Sequence, residues 1–91
     1  MRIDILCKPE SESRGARVLY NVRQALAELD VKAEVHLYRD RRKMIDNRVY
    51  VAPALMIDDV VRIAGRVPEV REIKSFIVER PRYVQRFSKV A

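Results

Sequence analysis

The stretch from Val51 to Pro68, V-A-P-A-L-M-I-D-D-V-V-R-I-A-G-R-V-P, restricts the fold more than any other part of the chain. Pro53 lacks an amide donor, so it opens a strand rather than running through one. Ala54 to Ile57 and Val60 to Ala64 are short apolar runs separated only by Asp58-Asp59, the spacing of a tight hairpin. Such a turn is of type I′, with φ > 0 at both central positions, which aspartate tolerates less well than asparagine or glycine. Gly65 leaves the second strand, and Pro68 is expected at the first position of a helix with Glu69 in its first turn. Val70, Ile73, Phe76 and Ile77 give that helix its apolar face, and Pro81 ends it.

Upstream, Arg2 to Cys7 is rich in isoleucine and leucine and suits a central strand. Lys8 to Arg14 is polar and proline-marked, a loop whose serines can cap a helix. Val18, Leu19, Val22, Ala25, Leu26 and Leu29 then fall on one stripe of a helix of about four turns. Val31, Ala33, Val35 and Leu37 alternate with Lys32, Glu34 and His36, as on an edge strand with one wet face. Asp40 to Asn47 is charged, and one or two helical turns anchored by Met44 and Ile45 are expected there.

The order β-α-β-(α)-β-β-α, with Pro53 before the hairpin, resembles the thioredoxin-like superfamily, most closely its small glutaredoxin-like "redox-active disulfide" proteins. The resemblance covers residues 1 to about 78. It implies an α/β fold whose four-stranded mixed sheet has the order 2-1-3-4 and is flanked by helices, with a right-handed first crossover. It also implies a thioredoxin-like domain over residues 1–80, leaving residues 81–91 as a basic amphipathic extension. Cys7, Pro53 and the amino end of the first helix are expected to meet at one edge of that sheet.

In the family a cis proline faces a Cys-x-x-Cys dithiol at the start of the first helix. This chain has one cysteine, so the dithiol cannot form. Anchoring the comparison on the first strand puts the two thiol positions at Glu10 and Ser13; anchoring it on the helix puts them at Glu12 and Gly15. Cys7-Lys8-Pro9-Glu10 also reads as a degraded motif with glutamate at the resolving position. A lone thiol near a helix start and Lys8 would have a lowered pKa, whereas a buried strand cysteine is inert. Asp4 lies six positions before Glu10, the family's spacing for a carboxylate that accepts the thiol proton; an Arg-paired aspartate is the competing reading. The resemblance further implies that Ala52 and Pro53, through the backbone of Ala52, present a binding edge to an extended chain. The simpler reading is a proline that ends a loop.

His36 is the only histidine, too few ligands for a metal site with one distant cysteine. No phosphate loop, nucleophile elbow or metalloprotease signature is present, and no cofactor is expected. Nineteen Lys and Arg stand against 13 Asp and Glu, a formal charge of +6. The excess gathers in Arg39 to Arg48 and again after Glu79. Nucleic acid is the weakest partner reading, because aromatics interleave with these cations only at Tyr83 and Phe87. No apolar run reaches membrane-spanning length, and a cytoplasmic protein is expected.

Two functions compete: a binding module without dithiol activity, engaging a protein or peptide at the proline edge or basic surface, and a single-thiol redox protein in which Cys7 forms mixed disulfides with glutathione or a partner. The first is favoured, since a lone thiol lacks a resolving partner. Tyr83, Val84, Phe87 and Val90 carry apolar area at helical spacing, and a homodimer through the tail is expected.

Overall fold

The computed structural model describes residues 1–79. Strand β1 (Arg2–Cys7) leads through a short 3-10 turn (Pro9–Ser11) into helix α1 (Glu12–Leu29). Then come strand β2 (Glu34–Arg39), helix α2 (Arg41–Asp46), strands β3 (Ala54–Ile57) and β4 (Val60–Ala64), and helix α3 (Val70–Glu79). The sheet order is β2-β1-β3-β4, with β1 and β2 parallel and the other pairs antiparallel. This is the expected α/β fold and strand order. The calls on Pro81, the amphipathic tail and its dimer fall outside the described residues.

β1 lies between β2 and β3, so both of its edges are paired, and its side chains are buried on both faces of the sheet. Ile3 and Ile5 pack with Val18, Val22 and Leu26 of α1 and Ile73 and Ile77 of α3. Leu6 points to the other face, where Met44 of α2, Val49, Ala54 and Met56 form a second, smaller cluster. The alternation of one strand thus sorts the helices to two sides.

α1 begins earlier than the apolar stripe suggests and takes in Ser13 to Arg17. Ser11 precedes it, but its hydroxyl is bonded to the Lys8 backbone rather than capping the helix. The helix ends with Asp30 in the left-handed region (φ 54°), where Asp30 N–H donates to the Ala27 carbonyl and Val31 N–H to that of Leu26. This crossed pair satisfies two terminal carbonyls.

Asp58 and Asp59 have φ of 48° and 67°, the type I′ geometry. Asparagine or glycine would adopt it more easily, but Asp58 has another task. Its carboxylate accepts the Arg2 N–H at 2.9 Å while its own N–H donates to the Arg2 carbonyl at 2.8 Å, tying the turn to the start of β1. Opposite Met56 the register of β4 shifts by one. Nearby Arg62 reaches α3, stacking on Phe76 at 4.9 Å and pairing with Glu79 at 3.1 Å.

Two local expectations need correction. Ile45 does not anchor α2; it is exposed, and Met44 alone is buried. Pro68 stands before the helix rather than at its first position. The carbonyl of Glu69 takes the first helical bond, from Ile73, and the Pro68 carbonyl instead accepts Asn21 Nδ2 at 2.9 Å. The start of α3 is fixed by Glu72, whose carboxylate accepts the Glu69 N–H at 3.0 Å and holds Arg66 at 2.6 and 2.9 Å.

The Arg66 bond, followed by the Glu69 backbone bond, brings the Glu72 carboxyl down to about 2 from 4.5. A depressed carboxyl stabilises the fold fully above its unfolded value and loses that contribution as pH falls through its folded one. Thermal melts of Glu72→Gln are therefore expected to fall less steeply with pH between 4.5 and about 2 than those of the wild type.

Candidate functional site

The carboxyl end of β1, the amino end of β3, the first turn of α1, and α2 with the loop after it converge at one end of the sheet. Leu6 pairs with Ala54, so the ladder continued by one step sets Cys7 beside Pro53. Gly15, in the first turns of α1, sits on the Cys7 side chain. A methyl group at Gly15 would lie 2.7 Å from Cys7 Sγ, 3.2 Å from its Cβ and 3.3 Å from Leu37 Cδ1. The expected meeting of strand, proline and helix start is present. It occurs at the end of central strands rather than at an edge, because β3 is paired on both sides.

Cys7 is fully buried. Burial pushes its thiol up from the ordinary 9.0; Arg39 opposes this and Glu12 adds to it. Of the two sequence readings, the buried strand cysteine is the one found; desolvation is the largest influence on the thiol, and the cation opposing it is Arg39 rather than Lys8. Arg39 and Glu12 pair with each other at 3.0 Å, which limits what either offers the thiol.

Asp4 is three residues from Cys7 along a regular strand, so its side chain takes the opposite face. There both carboxylate oxygens accept Arg2 Nε, at 3.2 and 3.1 Å, and Arg2 also donates to the Tyr38 hydroxyl at 3.0 Å. The Arg-paired geometry is the one found, and the sheet separates this carboxylate from the thiol. Glu10, in the 3-10 turn, pairs with Arg41, and Ser13 is exposed on α1. In the other register Glu12 is held by Arg39 and Gly15 is buried. Neither register offers a sulfur nucleophile.

The Ala52–Pro53 peptide bond is cis. Pro53 is buried, and its carbonyl accepts the Gly65 N–H at 2.9 Å. Ala52 is half-buried, and neither its N–H nor its carbonyl has a partner among the described residues. Before it, Arg48 at φ 58° closes α2, its N–H on the Ile45 carbonyl and that of Val49 on Met44. This turn buries Val49 and leaves Tyr50 and Val51 outside, 69% and 53% exposed. A cleft of about 240 Å³ lies here, lined by Lys8, Arg41, Met44, Ile45, Val49 and Tyr50. The sequence reading missed Ile45, Tyr50 and Val51. The signal was the apolar V-Y-V run immediately before Ala52, in a loop with no apolar periodicity to bury it.

Among the described residues no three His, Cys, Asp or Glu side chains converge as metal ligands, and no helix is long and apolar enough to cross a membrane. Comparison with known proteins decides the family: the thioredoxin domain matches residues 1–78. The chain belongs to the thioredoxin domain family. A thioredoxin of Methanocaldococcus jannaschii is 37% identical over 54 residues, which is 59% of this chain and 62% of that protein. The chain thus matches less than two thirds of that relative's length. Within the thioredoxin domain, this member keeps the proline end of the sheet and fills the space beside it with a sealed thiol.

Replacing Gly15 tests that seal. Alanine would gain helix propensity, about 1 kcal/mol at most, but must force the Cys7 side chain aside, an overpacking that costs about 1–3 kcal/mol. Gly15→Ala should lower stability in urea denaturation, and should cost less in a Cys7→Ala background, where Sγ is gone.

Proposed function

We propose that this thioredoxin-domain protein is a non-catalytic binding module that takes an extended segment of a protein partner at its proline end. The observation that carries the reading is the combination at that end of Ala52 backbone groups without partners among the described residues and exposed Tyr50, Val51 and Ile45 beside the cleft. Backbone groups without partners can add to an incoming strand, while a tyrosine and two aliphatic side chains supply apolar contact. Lys8 on the rim has no carboxylate partner among the described residues and favours a segment carrying acid beside its apolar residues, whereas Arg41 there is already held by Glu10.

The alternative, a single-thiol protein linked to glutathione, needs a solvent-accessible thiolate. Burial and a raised pKa disfavour both conditions at Cys7.

Selection of peptides from a displayed random library, followed by amide chemical-shift mapping, tests the proposal. Perturbations are expected at Ile45 and at residues 50–54, and Tyr50→Ala is expected to weaken the selected peptides about tenfold without changing the melting temperature. Failure to select any peptide, or perturbation confined to other surfaces, would overturn it. The same preparation is expected not to reduce insulin disulfides with dithiothreitol; turnover abolished by Cys7→Ser would favour the single-thiol alternative.

A further inference from the structure

Helix α1 carries an outward face with an unusual balance of charge. From Ser13 to Ala27 the sequence holds Arg14, Arg17 and Arg23 and no acidic residue. All three arginines are exposed. Most arginines elsewhere are matched, Arg42 and Arg48 excepted: Arg2 of β1 pairs with Asp4, Arg39 of β2 with Glu12, Arg62 of β4 with Glu79, and Arg71 of α3 with Glu69. The α1 arginines have no carboxylate partner among the described residues. The two acids at the ends of the helix are themselves engaged, Glu12 by Arg39 and Glu28 by Lys74.

Tyr20 stands between these cations and is 68% exposed. At about 100° and 1.5 Å per residue, Arg17 and Arg23 flank it at roughly 60° on either side and ~4.5 Å of rise above and below. Beyond Arg23, Lys32 lines the same shallow groove toward β2, so the positive stripe continues off the helix. Among the described residues Tyr20 belongs to neither hydrophobic cluster, so its ring is open to a ligand.

We infer that the outward face of α1 binds single-stranded nucleic acid, a function separate from the proline end. Guanidinium groups match phosphate in charge and geometry, and a tyrosine face between them offers a stacking platform for a base. An acidic protein would use the same arginines without needing the ring. Charge alone had left nucleic acid the weakest partner in the sequence, since its aromatics were sought only beside the two basic segments; the fold adds Tyr20.

Fluorescence anisotropy of the full chain with a short labelled oligouridylate, between about 50 and 200 mM salt, tests the inference. Tyr20→Ala is expected to weaken binding roughly tenfold with an unchanged salt slope. Arg17→Gln with Arg23→Gln is expected to weaken it and flatten the slope of log affinity against log salt by about 1.4, at ~0.7 per phosphate. The control removes the same charge elsewhere: Arg42 and Arg48 are exposed and have no carboxylate partner among the described residues, and Arg42→Gln with Arg48→Gln should retain affinity. No binding at the lowest salt would overturn the inference. So would equal losses in the control and α1 pairs, or a neutral Tyr20→Ala, which would mean attraction of any polyanion, acidic proteins included.

Discussion

The close approach of α1 to the end of β1 at Gly15 is the contact on which the rest of this molecule turns. The distance leaves no room for a side chain on the helix, and Cys7 fills what space there is. It brings the first turns of α1 over the strand end, and so sets the crossover that carries the chain to β2. It also bears on the thiol. Burial against the helix pushes Cys7 toward its protonated form, and the proposed binding reading rests on such a sulfur being a poor nucleophile.

In the binding reading proposed above, a closed-in thiol leaves backbone and apolar surface at the end of the sheet as the means of recognition. The Schellman-type turn at Arg48 controls what is displayed there, since it sends Val49 inward and Tyr50 outward. The polar residues near the strand ends act mostly on one another. Glu10 is held by Arg41, Glu12 by Arg39 and Asp4 by Arg2. Such exposed pairs add little stability individually, but they neutralise the arginines around the sheet. Arg14, Arg17 and Arg23 of α1, like Arg42 and Arg48, have no such partner among the described residues, and on α1 two of them flank the exposed ring of Tyr20.

Much of this was legible in the residues. The alternation in Val31 to Leu37, the stripe from Val18 to Leu29 and the hairpin around Asp58-Asp59 each carried their period or turn length plainly, and the resemblance ordered them into a sheet. The start of α1 was less legible because Lys8 to Arg14 is polar, and polarity does not distinguish a loop from the exposed first turn of a helix. Pro68 misled by two residues, since Glu72 reaching back to Glu69 decides where α3 begins. At the site, the family resemblance set Asp4 against the thiol, while strand parity turns it to the other face and to Arg2, the competing reading. Burial of Cys7 was within the central-strand reading, but its contact with Gly15, eight residues on, is one that no local pattern announces.

The most direct test of the account is the rate at which Cys7 reacts with a thiol-specific disulfide reagent at neutral pH, in the native protein and in urea. If α1 seals the sulfur, modification requires opening of the structure, and the native rate should be lower than the unfolded rate by more than about 100-fold. A native thiol that reacts as fast as the unfolded one would contradict it, for the end of the sheet would then carry an available nucleophile.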